Sequence, residues 1–481
     1  MNMLRDFKLV LSQGVSKLNN SNEKNNTSTL DNKVHQDISK NALLLLKKKQ
    51  ISLRRTLQQK QNADFYYYID IVGTCNLRCP SCPVGNYPKA PVKGLMPLEK
   101  YQAILEKISN EHSGEKVFID LYNWGEPGLH KQLGEIICMT KEMGHGVGIS
   151  TNLNVFPDMA NVIKQSPTYI RISLSGYFND VYQETHKLGD INLVKANMHL
   201  LRQKIDQYES DTIVQVGYHI YRDNFDVDFW KMQALCEDLE FIFAPTLASL
   251  MPVEKAVKAV DGEVLEQDKA LLQKLVVSTE KRVELLAELR PKYRDCQYRQ
   301  IRTTINFDGS VPLCCATFEE DQIIAKDFLT VSRKELKAKK YAHSFCKTCQ
   351  VRSLDLVYTN MEPHHVDNYA VSVLGERYKA FLDEWNVSLE PIVEWEDKEL
   401  SAQEAYDLAM QYESNNLNQA IQLYQRLIVA FPRHGEALYR LGVIFENGND
   451  FVQSLKYFES ALMVSPSYQR YIDAVHKLRT A

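Results

Sequence analysis

Between Phe65 and Pro245 six apolar runs of strand length alternate with amphipathic stretches of helix length, and this alternation restricts the fold more than any other feature. The strand-like runs are Phe65–Val72, Val117–Tyr122, Gly146–Thr151, Tyr169–Ser175, Thr212–Tyr218 and Glu240–Pro245. Helical patterns fall between them at Pro97–Ser109, Leu133–Met143, Pro157–Gln165, Val194–Gln207 and Phe229–Leu239. Strands separated by helices pair in parallel, so an α/β fold is expected. The pattern allows either an open sheet or a partial (βα)6 barrel. In both, ligands gather at the carboxyl ends of the strands.

The bulk composition narrows the function classes. Net charge is −4 over 481 residues, with no general basic excess of the kind that binds nucleic acid. The short apolar run Ala42–Leu46 ends in lysines, so no membrane span is expected. Asp6 and the lack of a small-residue cleavage site argue against a secretory signal. Most of the ten cysteines fall into two spaced sets. In a chain without an export signal such sets suit thiolate ligands in a cytoplasmic, reducing setting better than disulfides. Residues 1–60 form an extension: an amphipathic piece at Leu4–Leu18, a polar stretch too poor in apolar residues to order itself, and a basic helix over 36–60 carrying Leu53 and Leu57.

The first cysteine set is Cys75, Cys79 and Cys82, immediately after the first strand, in a loop punctuated by Gly73, Pro80, Pro83 and Gly85. Three thiolates in so short a loop hold three corners of a four-iron cluster and leave the fourth iron open to a small molecule. Cys138 is expected on an apolar helix face, too far along to complete the set. A zinc site with a borrowed histidine is the plainer alternative.

Cys75-x3-Cys79-x2-Cys82 resembles the cluster motif of the radical S-adenosylmethionine (SAM) superfamily. Trp124-Gly125-Glu126-Pro127 after the second strand is similar to that family's Gly-Glu-Pro segment. Ser150-Thr151-Asn152 and Ile172-Ser173-Leu174-Ser175-Gly176 resemble the ends of its third and fourth strands. The resemblance implies a [4Fe-4S] cluster whose open iron binds SAM through its amino and carboxylate groups. One electron from the cluster, supplied by a carrier such as flavodoxin or ferredoxin, then cleaves SAM to methionine and a 5′-deoxyadenosyl radical that takes hydrogen from the substrate. By the same match Gly125 and Glu126 meet the methionine amino group, Ser173 and Asn152 lie at the SAM site, and Asn224 follows the fifth strand. Departures are Leu153 in a glycine position, His186-Lys187 where the family often carries arginine, and Ser81 where an aromatic residue usually precedes the third cysteine. Only the backbone of Ser81 is expected to serve near adenine, with Tyr87 a substitute ring. On its own chemistry Glu126 is either a carboxylate that pairs with an ammonium or a solvated turn residue.

The second set is Cys296, Cys314, Cys346 and Cys349, arranged around an expected hairpin of Thr303–Phe307 and Val311–Leu313 with Asp308-Gly309 at its turn. Four thiolates suit a fully ligated cubane or a structural zinc. The arrangement resembles the single-cluster Twitch extension of radical SAM enzymes more than the two-cluster SPASM form, since no cysteine follows Cys349. That resemblance implies one auxiliary cluster and two [4Fe-4S] clusters in all. Cys314 and Cys315 face opposite ways on a strand, so one of them is the ligand, and spacing from the hairpin favours Cys314.

The domain order expected is extension 1–60, barrel 61–250, bridging helices and cluster domain 251–355, a helix (Val373–Trp385) and acidic linker (Glu390–Glu399) within 356–400, and helical repeats over 401–481. Ala420–Pro432 recurs 34 residues later as Ser454–Pro466, with Asn416 aligned on Asp450. The period resembles tetratricopeptide repeats and implies a protein partner or self-association. A fully ligated second cluster points to electron transfer and substrate oxidation. A free thiol returning hydrogen points instead to inversion of a stereocentre, with Cys315 and Cys236 as candidates, although unliganded cysteine is also common core filling. His219 is the candidate acid or base, with Asp120, Tyr122, Tyr218 and Tyr221 beside it at the mouth. Three classes compete: a radical SAM enzyme for a carbohydrate, aminocyclitol or similar small polar substrate, a peptide or protein maturase, and a non-catalytic iron–sulfur scaffold.

Overall fold

The computed structural model describes residues 49–87, 94–287, 295–359, 363–389, 392–396, 398–431, 434–465 and 468–480. The expected features at 4–18 and in the polar stretch after it lie outside these residues, as does most of the basic helix, whose described part runs over 49–61.

All six expected strands are present: β1 Phe65–Ile69, β2 Val117–Asp120, β3 Gly146–Thr151, β4 Tyr169–Leu174, β5 Ile213–Ile220 and β6 Ile242–Leu247. A seventh, β7 Arg302–Ile305, joins them in the order β6-β5-β4-β3-β2-β1-β7. Every pairing in this sheet is parallel. The fold is α/β, a partial barrel with a helical tail.

The seventh strand corrects the expected hairpin. The turn itself forms, with Gly309 at φ 86° and its N–H on the Asn306 carbonyl at 2.8 Å. Yet β7 pairs in parallel with β1, Tyr66 opposite Arg302 and Ile69 opposite Ile305. Val311–Pro312 pairs antiparallel with Ile323–Ala325 instead. A turn signal reports only local reversal, whereas the open edge of β1 offers a full row of backbone groups and captures the incoming strand.

Alternation along each strand separates two environments. Phe65, Tyr67, Ile69, Ile119, Val147, Ile149, Ile170, Ile172, Val214 and Val216 are buried beneath the outer helices. The alternate residues face the concave side. Its floor is apolar, with Phe118, Tyr169, Ile213, Ile242 and Ala244 closed by Leu57. Above the floor the same positions become polar: Tyr68 on β1 and Asp70 just beyond it, Asp120 on β2, Arg171 and Ser173 on β4, His219 on β5.

Tyr218 belongs to the outer layer, against Phe229 and Phe243, with its hydroxyl on the Asn224 carbonyl at 2.9 Å. Its place in the strand turns it away from the mouth where it was expected. Cys236, the other expected hydrogen donor, is likewise buried on helix Val227–Asp238, in the layer between helices and sheet. Cys138 is half-exposed on helix Leu133–Glu142, 3.5 Å from a Glu142 oxygen, not on the apolar face.

After the barrel the bridge forms three helices, Val253–Val260, Glu266–Lys274 and Thr279–Ala287. The helix expected at Val373–Trp385 is two, Pro363–Leu374 and Glu376–Leu389, because Gly375 at φ 82° breaks the run. The linker holds a small antiparallel pair, Val393–Trp395 with Lys398–Leu400, and buries Val393 and Trp395 in the repeat core.

The repeats are helices Ala402–Tyr412, Leu417–Ala430, Gly435–Asn447 and Phe451–Val464, followed by Gln469–Thr480. Asn416 and Asp450, equivalent in the 34-residue register, both N-cap the second helix of their unit by accepting a main-chain N–H three residues on. At Gly442 an added Cβ lies 2.5 Å from the Phe458 ring, so the helices meet only because that residue is glycine. Gly442→Leu is expected to destabilise the tail by about 1–3 kcal/mol through overpacking. Faster proteolytic cleavage within 435–464 is the measurement. No helix among the described residues is long and apolar enough to cross a membrane.

Candidate active site

The loop after β1 wraps tightly around its three cysteines. The Cys82 N–H bonds the Cys79 carbonyl at 3.1 Å and the Gly85 N–H bonds the Cys82 carbonyl at 2.9 Å. A Cβ at Gly85 lies 2.3 Å from the Cys79 carbonyl oxygen, so only glycine closes this turn. The Arg78 N–H reaches the Lys187 carbonyl at 3.0 Å and ties the loop to the segment following β4.

Burial pushes the Cys75 thiol up to about 11 and Cys82 up to about 12, and raises Cys79, which Cys82 and Cys75 push further. Bare thiols here stay protonated, and a bound cation is what converts such a set to thiolates. Two donors already point at the Cys75 sulfur, the Leu77 N–H at 3.4 Å and the Asn152 amide at 3.6 Å. The donor set and the glycine-closed turn fit a cluster held by three cysteines.

The Gly125–Glu126 segment is held from behind. Asp70, buried beneath it, accepts the N–H groups of Trp124 at 3.0 Å and Gly125 at 3.1 Å. A Cβ on Gly125 falls 1.6 Å from the Val72 carbonyl oxygen, which fixes glycine there. Glu126 is neither solvated nor free: its carboxylate accepts from Gly128 N–H at 2.9 Å, the Thr151 hydroxyl at 2.6 Å and Asn152 N–H at 2.7 Å. It ties the loop after β2 to the end of β3, close enough to Cys75 and Cys79 to raise both.

The other expected residues divide. Asn152 lies at the cluster loop, bonded also to the Asn76 side chain at 2.9 Å. Ser173 is on the concave side, in register with Gly217. The Ser81 side chain bonds Tyr221. Asn224 is fully engaged, its amide donating to the Ser175 and His219 carbonyls and accepting the Tyr221 N–H. It therefore braces the ends of β4 and β5. His219 stacks near His186 at 6.5 Å, and burial lowers the two to about 4 and about 3. Both imidazoles are neutral at neutral pH.

Below the cysteine loop the concave wall is polar. Tyr169 donates to Asp120 at 2.5 Å and meets the Tyr122 hydroxyl at 3.1 Å. Arg302 donates to the Tyr68 hydroxyl at 3.0 Å and lies beside the Tyr298 ring. Arg171 lies across Gly217, where a Cβ would sit 2.5 Å from its Nε. No motif marks Asp70, Arg171, Tyr298 or Arg302. The period-two pattern held the signal for the first two, since it sets them on the same side as Asp120.

Cys296, Cys314, Cys346 and Cys349 line one cavity with Phe345 and Tyr358, and Cys315 does not. Cys315 lies instead in the field of Arg302, Lys340 and Asp120, and is felt by Tyr68, Tyr122 and Tyr298. Its carbonyl accepts the Asn123 amide at 3.1 Å, with that amide oriented by its partners, and Trp124 Nε1 bonds the Thr317 carbonyl at 3.2 Å. The Cys314–Thr317 turn is thus fastened to the segment leading into Gly125–Glu126. Among the described residues no three His, Cys, Asp or Glu side chains converge closely enough for a single metal ion.

Burial holds Asp120 up at about 7, so ionising it opposes the folded state as pH rises from the ordinary carboxylate range near 4 through 7. His186 and His219 act in the other direction, favouring the folded state as pH rises through the ordinary histidine range. Asp120→Asn isolates the first effect. Relative to the parent, this variant is expected to gain stability between about pH 5 and about pH 7.5, at up to about 1.4 kcal/mol per pKa unit. Urea unfolding at the two pH values checks this.

Residues 69–232 match the family model of the radical SAM superfamily, and 405–434 and 436–462 match that of the tetratricopeptide repeat. The chain carries a radical SAM enzyme domain and a C-terminal tetratricopeptide tail. No curated protein sequence matches it. Among solved structures it is similar to native anSMEcpe with bound AdoMet, at 15% identity over 67% of this chain and 98% of that one, TM-score 0.41. It is also similar to Streptococcus suis SuiB bound to precursor peptide SuiA, at 14% identity over 72% and 79%, TM-score 0.41. A third is BtrN in complex with AdoMet and 2-DOIA, at 12% identity over 61% and 87%, TM-score 0.33.

Proposed function

We propose that this radical SAM enzyme carries a second, fully cysteine-ligated [4Fe-4S] centre and inverts a carbon centre of a small polar substrate, with Cys315 as hydrogen donor. Cys75, Cys79 and Cys82 hold the first cluster. SAM lies against Gly125 and Glu126, with Ser173 and the Ser81 backbone beside it. Cys296, Cys314, Cys346 and Cys349 hold the second centre. When bound, the first cluster and SAM supply hydrogen-atom abstraction from a substrate C–H bond.

The observation that carries the proposal is the divergence of Cys314 and Cys315: the first lies on the four-cysteine cavity, the second does not. Cys315 keeps its thiol, near the Asp120, Tyr122 and Arg302 wall. Its S–H bond breaks as a new C–H bond forms at the substrate carbon. The sulfur, left one electron short, is reset by one electron from a flavodoxin- or ferredoxin-class carrier and one proton from solvent. Hydroxyls of Tyr68 and Tyr122 with the Asp120 carboxylate suit a polyol of carbohydrate or aminocyclitol type.

A peptide substrate is the second possibility, favoured by the tail, because such repeats hold extended segments in a groove. The test is anaerobic reconstitution followed by SAM and dithionite, reading 5′-deoxyadenosine above the substrate-free background. Stimulation by members of a sugar and aminocyclitol panel, absent in Cys79→Ala, is the expected result. Stimulation by peptides alone would transfer the enzyme to the maturase class.

A further inference from the structure

Among the described residues, Lys340 is a buried cation without a carboxylate partner. The residue is 2% exposed, on helix Arg333–Ala342 whose neighbouring Lys337 and Lys339 reach solvent. The ammonium donates to the Arg302 carbonyl and to the Thr303 hydroxyl, the latter at 3.2 Å. Neither acceptor is charged. Removing a lysine charge from water carries a large penalty that two neutral acceptors only partly offset, so buried charges are normally paired.

The groups whose negative forms most favour this ammonium are Cys314, then Cys315, Cys346 and Cys296. Three of those four line the auxiliary cavity. As free thiols they carry no charge. As ligands of an iron–sulfur centre they are thiolates, and the centre is then a net anion beside the lysine.

We infer that Lys340 is the built-in counter-charge of the auxiliary centre, making that centre easier to reduce. The inference rests on the second centre proposed above. A reduced centre is one unit more negative than an oxidised one, so a fixed cation nearby favours the reduced state. The same ammonium grips the first two residues of β7, which lets strand and helix position the charge together.

A tether without an electrostatic role predicts something different, and substitution separates the two. In a Cys79→Ala background only the auxiliary centre reports. Parent, Lys340→Met and Lys340→Arg are reconstituted, iron is counted, and each is titrated with dithionite through mediators while the reduced centre is followed by EPR. With iron content unchanged, Lys340→Met should shift the reduction equilibrium against the reduced form by on the order of tenfold, as expected for one charge on the order of 10 Å away at an effective dielectric near 20. Lys340→Arg, which keeps the charge, should stay near the parent. A Met variant titrating like the parent overturns the inference, as do Met and Arg variants that both lose iron, which is the signature of a tether. A Cys79→Ala parent that binds no iron removes the auxiliary centre itself, an outcome distinct from an unmoved potential.

Discussion

Cys314→Ala will leave the reconstituted protein with about four irons per chain, whereas Cys315→Ala will keep about eight. The asymmetry follows from where the two neighbours point. Cys314 shares a cavity with Cys296, Cys346 and Cys349, and Cys315 lies outside it. Substitution cannot simply exchange their roles, because the turn is pinned on both sides. The Cys315 carbonyl is held by Asn123 and the Thr317 hydroxyl returns to the Cys314 carbonyl at 2.9 Å. Rotating the pair by one residue would break both bonds and drive Cys315 out of a wall containing Arg302 and Asp120. Iron and sulfide counts, with EPR of the reduced protein, check the outcome. Equal iron loss in both variants would show that the turn is plastic and that neither cysteine has a fixed role.

The sheet was legible because its strands are short apolar runs, each separated from the next by a helix-length segment. Ile170, Ile172 and Leu174 face one way, and Arg171 and Ser173 the other, as the period of two requires. The cysteine triad and the Gly125–Glu126 segment were legible because their chemistry is compressed into a few consecutive residues. β7 was not, since its partner lies more than two hundred residues back and the turn at Gly309 supplied a convincing local alternative. Glu126 shows a subtler limit. A motif marks the position, but only the folded chain reveals that its carboxylate accepts from Gly128, Thr151 and Asn152. Asn224 is similar, its amide bonded to three main-chain groups. The spacing that favours Cys314 over Cys315 is joined in the fold by a cavity that Cys314 lines and Cys315 does not, although the two lie in a turn and not on a strand.

Once a substrate is in hand, the enzyme in heavy water should return it with one solvent deuterium at the inverted carbon, and Cys315→Ala should lose the inverted product by at least about a hundredfold while still forming 5′-deoxyadenosine. A thiol exchanges its proton with solvent, so a hydrogen atom delivered from Cys315 arrives as deuterium, whereas hydrogen returned from SAM would not. Alanine removes the donor and leaves the Gly125–Glu126 loop intact, because Asp70 and Glu126 hold that loop without help from the Cys315 side chain. Abstraction therefore continues and only the return step fails. Oxidation predicts the reverse pattern: a product two electrons poorer, no deuterium, and little dependence on Cys315. The fully ligated second centre would then be the electron acceptor, and Cys314→Ala, not Cys315→Ala, would stop turnover. The two variants thus exchange phenotypes between the two chemistries. Product mass alone, read in both, decides whether the thiol or the neighbouring cluster finishes the reaction.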